Sequence, residues 1–271
     1  MVQGRSGNWT RRLYEIPDAR LVQAEREVYN QYGVEVSVDA KAKSLLRFGK
    51  TGEMTLNQQT VWTLADHELY LNTNNIRNIS SSVLFDNEPI RIEGHTIDAN
   101  GDFTFVVQTV ELAGTIPQAL PIPLARVSSA VNVGTRDLRG RVCIYEPDIV
   151  VGGVPNDPQR IHIDIPEGSN QSFKAATTFD KDTFAFITQG FGGVGNKQTA
   201  NVEFELEIRQ KDSVFIAGAS IVAGSASGNF NVDLDPVAIV PPNSDVRVVA
   251  TSDNSGAECF VNFNMYMAKV L

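Results

Sequence analysis

The stretch N-V-E-F-E-L-E-I-R, residues 201–209, decides the fold class of this 271-residue chain. Its apolar side chains, Val202, Phe204, Leu206 and Ile208, occupy every second position, and polar side chains lie between them. Strict alternation is typical of a strand with one face in a core and the other in water. Burial of each apolar side chain on one strand face stabilises the fold by about 1.5–3 kcal/mol. A helix would spread these side chains around its circumference and could not bury them together. The stretch therefore predicts a half-buried β-strand.

The chain around this stretch reads as nearly all β from residue 60 onward. Short β-branched or aromatic runs alternate with turn signals such as D-A-N-G-D at residues 98–102, and no helical pattern separates them. This arrangement favours a sandwich or barrel over a parallel βαβ sheet. Residues 148–271 contain about eight such runs, the number of strands in a jelly roll. We therefore predict an all-β, antiparallel β-sandwich (jelly-roll-like) C-terminal domain, preceded by a second β-rich domain and an extended N-terminal arm.

The predicted domain organisation has three parts. Residues 1–50 form an extended arm with short elements, residues 51–147 a β-rich domain and residues 148–271 the β-sandwich domain. The boundary rests on residues 146–158, which hold three prolines and two glycines. We interpret this segment as an interdomain linker, and a long crossing within one sandwich is the alternative. Asp18 and Gly33 also predict the cap and stop of a short helix between them.

The N-terminal arm carries the candidate partner contacts. It shows no periodicity, but it contains apolar side chains that a free tail does not need, with basic side chains beside them. The candidates are Trp9, Arg11, Arg12, Leu13 and Tyr14. A tail with apolar anchors usually lies on its own body or on a neighbour. The basic residues fit either an arm that seeks an acidic protein surface or a solvated tail.

Charge and hydropathy exclude several classes of protein. The net charge is −9, although residues 1–50 carry nine Lys and Arg against six Asp and Glu. An acidic body argues against nucleic-acid binding. No apolar run approaches the ~20 residues of a membrane span. The N-terminus lacks the apolar core of a secretory signal, so we expect synthesis in a cytoplasm without ordinary export.

Two motifs suggest chemistry that their context contradicts. Residues 190–195, G-F-G-G-V-G, match the dinucleotide fingerprint by letters, but a predicted strand follows where the motif needs a helix. We interpret them as a flexible glycine-rich hairpin loop. Glu203, Glu205 and Glu207 share one strand face. Three alike, solvated glutamates do not separate into an acid and a base, so we interpret them as a charged surface.

No metal, cofactor or catalytic site is expected from the remaining residues. Four aspartates would form a calcium site only if their loops converged, and we interpret them as solvated turn residues: Asp180, Asp182, Asp233 and Asp235. The three histidines have no metal-ligand spacing. Cys143 and Cys259 lie in apolar runs and are predicted to be buried, reduced thiols. We expect no enzymatic activity and no cofactor.

Several strand and turn signatures resemble a known set of proteins. They are R-R-L-Y at 11–14, N-I-S-S-S at 78–82, I-R-I-E-G-H at 90–95, F-T-F-V-V-Q-T-V-E-L at 103–112, I-P-E-G-S-N-Q-S at 165–172, E-I-R at 207–209 and I-V-P-P-N-S-D-V-R at 239–247. Together they resemble virion structural proteins of tailed bacteriophages, notably marine and cyanobacterial ones. The signatures are not catalytic residues, so the resemblance implies a β-sandwich particle component and no site residues.

The resemblance implies a capsid cement or decoration protein that stabilises the shell. Its expected partners are the major capsid protein or other virion proteins, and the chain is expected to be a homo-oligomer, either a trimer or a dimer. Its expected location is the virion, after synthesis in the host cytoplasm, with no nucleic acid or membrane bound. The alternative is a tail or capsid-surface module that binds a host carbohydrate or receptor through exposed aromatic residues such as Phe191 and Tyr266.

Overall fold

The computed structural model describes residues 19–38, 45–64, 70–195, 199–224 and 228–271, without the side chains of residues 45 and 46. Antiparallel sheets dominate this part of the chain, which confirms the all-β class. It contains one α-helix, α1 (Ala19–Tyr32), and one 3-10 turn (Pro158–Arg160). None of its helices is long and apolar enough to cross a membrane.

The described part of the chain also contains nineteen strands. The first twelve are β1 (Val36–Val38), β2 (Leu45–Thr51), β3 (Gln59–Thr60), β4 (Ile76–Ser81), β5 (Pro89–Ile97), β6 (Phe103–Glu111), β7 (Gln118–Leu124), β8 (Arg126–Asn132), β9 (Val142–Tyr145), β10 (Val150–Val151), β11 (Val154–Pro155) and β12 (Ile161–Ile165). The others are β13 (Ala176–Thr178), β14 (Thr183–Val194), β15 (Asn201–Gln210), β16 (Ile216–Gly224), β17 (Asn229–Val240), β18 (Ser244–Ser252) and β19 (Cys259–Val270).

Two antiparallel sheets form what we call the sandwich module. One sheet has the order β2-β19-β14-β17, with β1 beside the other half of β19. The second has the order β13-β18-β15-β16, with β3 also beside β18. From β13 to β19 the chain changes sheet at every connection except the one between β15 and β16. This winding is jelly-roll-like, since consecutive strands alternate between the two layers.

One apolar core lies between these two sheets. Val202 and Phe204 of β15 contribute to it, as the alternation in residues 201–209 predicts, and they are 0% and 3% exposed. Ile187 of β14 and Phe263 of β19 contribute from the other sheet. Shared burial of these alternating faces is what holds the two layers together.

A second module interrupts one strand position of the sandwich. β3 and β13 both pair with β18, at Thr60↔Val249 and Ala176↔Arg247, so they occupy successive parts of one sheet position. The chain between them forms the sheets β12-β9-β4-β7 and β6-β5-β8, around a core of its own. We call this part the inserted module. The bridge Trp62↔Lys174 brings its two ends together.

Residues 146–158 lie within the inserted module. They contain the β10–β11 hairpin and connect β9 to β12, its neighbour in the same sheet. The sequence analysis interprets the same residues as a linker between domains. The predicted boundaries after residues 50 and 147 stay a prediction.

The predicted N-terminal helix is present as α1. Leu21 and Val28 are fully buried in a cluster that includes Phe184 and Phe186 of β14. The helix ends at Gly33, whose φ of 68° suits glycine and whose N–H donates to the carbonyl of Tyr29. The predicted cap, Asp18, lies outside the described residues.

Candidate interaction surfaces

The five predicted contact residues of the arm, Trp9, Arg11, Arg12, Leu13 and Tyr14, lie outside the described residues. Their role stays a prediction. The described chain begins at Ala19, beside the sandwich module. There Arg20 Nη1 donates to the carbonyl of Leu234 in β17 at 3.2 Å. The first described residues therefore lie next to one edge of the sandwich.

Three turns of the inserted module present large apolar side chains to solvent. Gly114 hydrogen-bonds to Asp86, and Gly153 lies so near Ser81 that a Cβ on it would overlap the Ser81 carbonyl. The turns around residues 84, 115 and 152 are thereby held side by side. Their side chains, 59–74% exposed, are Leu84, Phe85, Ile116, Ile149 and Val151. We call this group the apolar tip.

A buried carboxylate fixes the first of these turns. Asp86 is 3% exposed and accepts from Ser81 Oγ at 2.6 Å, from the Arg139 N–H at 3.0 Å and from the Gly140 N–H at 2.9 Å. A buried carboxylate with three donors is well compensated for its lost hydration. The exposure of Leu84 and Phe85 therefore belongs to an ordered turn.

A buried ionic network joins the two modules. Asp245 of β18 accepts from Arg126 Nε of the inserted module at 3.0 Å, from Thr178 Oγ1 at 2.6 Å and from Arg209 Nη2 at 2.6 Å. Burial alone would raise the pKa of Asp245, but Arg126 and the hydrogen bonds outweigh it and hold the pKa below its ordinary value. The network fixes the orientation of the inserted module on the sandwich.

Lys174 is a second buried charge at this junction. Its Nζ donates to the carbonyls of Val127 at 2.7 Å and His162 at 3.1 Å, and lies 5.5 Å from the centre of the Trp62 ring. Burial, together with the nearby Arg126, lowers the pKa of Lys174 to about 7. Lys174 stands in no sequence motif, and the signature at 239–247 that contains Asp245 gives no sign of its ionic partners, so sequence reasoning missed both.

One outer sheet face combines phenylalanine rings with amides. Phe191 of β14 is 40% exposed, and the centre of its ring lies 5.8 Å from that of Phe260 of β19. The centre of the Phe260 ring lies 6.2 Å from that of Phe48 of β2. On the same face Asn264 Nδ2 donates to Gln189 Oε1 at 2.8 Å. Aromatic rings beside amides are common in polar ligand sites. Tyr266, the other aromatic candidate, packs partly buried against the helix cluster.

The glycine-rich residues 190–195 are not a hairpin loop, which corrects the sequence interpretation. β14 continues through Val194 and pairs with β17 and β19 on either side. A Cβ on Gly192 would lie 2.6 Å from the Phe230 ring and 2.7 Å from the Phe260 carbonyl. The glycine therefore permits close packing within a central strand.

The sequence interpretation assumed that the three glutamates of β15 share one solvated environment, but their environments differ. Glu205 accepts from Gln58 Nε2 at 2.6 Å. Glu207 is only 8% exposed, and its Oε2 accepts from Arg247 Nε at 2.7 Å. Arg247 is the register partner of Glu207 on β18. Glu207 is therefore part of a cross-strand ion pair and not of a solvated charged face.

The described residues contain no group of three or more His, Cys, Asp or Glu side chains placed to hold a metal ion. Of the four aspartates considered, Asp180 pairs with Lys269 Nζ at 3.0 Å and Asp233 accepts from Gln189 Nε2 at 3.2 Å. Cys143 and Cys259 are free and buried, as predicted, and burial raises the pKa of each thiol to about 12.

Comparison with known proteins gives only remote likenesses. The chain matches no protein-family model and no curated protein sequence. Among solved structures, it is 9% identical to a chain of the infectious bursal disease virus Gx strain, with a TM-score of 0.17 over 86% of this chain and 72% of that one. It is also 9% identical to the VP2 subviral particle of that virus, with a TM-score of 0.17 over 84% and 73%. Likenesses at this level carry no argument.

Proposed function

We propose that the chain is a non-enzymatic structural component of a virus particle, of the capsid cement or decoration type. It would stabilise the shell through repeated contacts with the major capsid protein or another virion protein. The sequence resemblance to tailed-bacteriophage virion proteins suggests this role. The apolar tip is the observation that carries it, because large apolar side chains grouped together on an ordered surface favour a protein contact.

The energetics suit a protein that works in many copies. A standard protein interface buries ~1,600 Å² in total, and the five side chains of the apolar tip would form only part of such an interface. Many copies on a regular shell convert weak contacts into strong retention by avidity. In this proposal the tip and the arm residues Trp9, Arg11, Arg12, Leu13 and Tyr14 each contact the particle.

The experiment that tests the tip compares two serine variants in particle incorporation. Phe85→Ser and Ile149→Ser each remove a side chain that is more than 70% exposed. For both variants we expect the amount of this protein in purified particles, measured by gel densitometry, to fall markedly. Leu56→Ser is the matched control, since Leu56 is 62% exposed on the sandwich module. Wild-type incorporation of both tip variants would contradict a shell contact at the tip.

The arm is tested separately by deletion. Removal of residues 1–18 leaves every described element in place, so we expect a folded body by circular dichroism. We also expect this protein to be absent from particles, because the arm anchors are lost. Full incorporation of the truncated protein would contradict the role of the arm.

A module that binds host carbohydrate is the second candidate, and the phenylalanine–amide face favours it. Sugar rings pack their apolar faces on aromatic side chains, and amides hydrogen-bond their hydroxyl groups. A glycan array tests this, with Phe191→Ala as the variant that should lose any signal. No binding above background by the wild-type protein would contradict this second function.

A further inference from the structure

β16 is an edge strand without protection against pairing. Within the described residues it pairs with β15 and with no other strand, so one row of backbone N–H and C=O groups faces outward. Its nine residues, I-A-G-A-S-I-V-A-G, include no charged side chain and no proline. Ile216 and Val222 are each 64% exposed. An exposed, uncharged, apolar edge is a ready template for another strand.

Two other edge strands carry devices that prevent such pairing. β7 contains Pro121 and Pro123, which have no N–H to donate to a new neighbour. β17 contains Asp233 and Asp235, followed by Pro236. Charges and prolines on an edge oppose the addition of a strand. Unlike these two strands, β16 lacks both devices over nine residues.

We propose that β16 pairs antiparallel with β16 of a second copy, so that the sheet β13-β18-β15-β16 continues across a twofold axis. A strand edge is self-complementary in the antiparallel arrangement, and a twofold contact closes at two copies. A twofold axis through Ile221 places Ala219 opposite Ala223 of the second copy. These small side chains let the two backbones approach.

The charge distribution favours a second copy as the occupant. Each chain carries a net charge of −9, so two copies repel each other over most of their surface. β16 itself carries no charge, so the pairing edge brings no charged side chain into direct cross-strand contact, and the carboxylates of Glu203 and Glu205 lie one strand back on β15. An apolar opening lined by Ile221 and Phe230 among others lies at the same edge. This inference rests on the proposed function, in which the chain acts in many copies, and names the surface that joins two of them.

The experiment measures the oligomeric state of the full-length chain by sedimentation equilibrium over a range of concentrations. We expect a dimer for the wild type. Val222→Lys places a charge on the pairing edge of both copies, so we expect its dimer dissociation constant to rise by about tenfold or more. Val214→Lys is the matched control, because Val214 is 72% exposed, lies outside β16 and should leave the constant unchanged.

A second measurement keeps the proposal testable if a variant misfolds. Backbone amide hydrogens of β16 in the wild type should exchange more slowly at concentrations where the dimer forms than under dilution. The proposal is overturned by a monomer at about 100 μM, by a trimer, by equal effects of the two lysine variants, or by β16 exchange that does not change with concentration. A dimer that never joins particles would support the pairing and contradict the proposed function, and a monomer that joins particles would do the reverse.

Discussion

Replacement of Asp245 by asparagine tests whether the buried network holds the two modules together. Asp245 is 3% exposed and Arg126 is 4% exposed, so water screens their interaction little. The substitution keeps the shape of the side chain but removes the charge that compensates Arg126 and the partly exposed Arg209. A buried ion pair that loses one partner typically costs 3–5 kcal/mol, because the other charge stays buried.

The structure places the expected cost near the lower end of that range. Arg126 keeps hydrogen bonds to the carbonyls of Leu71 and Ala125, and its guanidinium stays 4.9 Å from the centre of the Phe103 ring. These contacts compensate part of the lost charge. We therefore expect the free energy of unfolding to fall by about 3 kcal/mol in Asp245→Asn.

Urea denaturation of the wild type and the variant, followed by circular dichroism, measures this difference. Asp233→Asn is the matched control. It makes the same chemical change at an exposed position, and its effect should stay within about 0.5 kcal/mol. A double-mutant cycle with Arg126→Leu should show coupling between the two sites. A loss below about 1 kcal/mol in Asp245→Asn, or no coupling, would refute the reasoning.

Three further predictions concern the junction and the sandwich. Between pH 7 and about 10.5, Lys174 is protonated in the unfolded chain but not in the folded chain. The free energy of unfolding should therefore rise with pH in this window by up to ~1.4 kcal/mol per pH unit. Urea titrations at several pH values should show a smaller slope for Lys174→Met. The lowered pKa of Asp245 makes its stabilisation complete above its unfolded pKa and lost as pH falls through the folded value, so the difference in the free energy of unfolding between the wild type and Asp245→Asn should be full at neutral pH and shrink in acid. Gly192→Ala forces a methyl group against the Phe230 ring, and thermal denaturation should show a loss of about 1–3 kcal/mol, whereas Gly52→Ala meets no atom within 4 Å and should cost little.

Local sequence patterns were sufficient wherever neighbouring residues decide the structure. The alternation in residues 201–209 predicted β15 and its buried face, and Gly33 predicted the end of α1. Both features depend on side chains within a few positions. Glu207 and Gly192 were misjudged because their decisive neighbours, Arg247 and Phe230, are about 40 residues away in the chain.

The sequence by itself determined the all-β class, the helix and the burial of the two cysteines, because periodicity and local composition encode which side chains leave water. Only the tertiary structure decided which strands are neighbours. That pairing inserts one module into a strand position of the other and places Arg126 beside Asp245, 119 positions away. Among the described residues it also leaves β16 at an edge. An edge is the absence of a neighbour, which no property of the strand's own nine residues can specify.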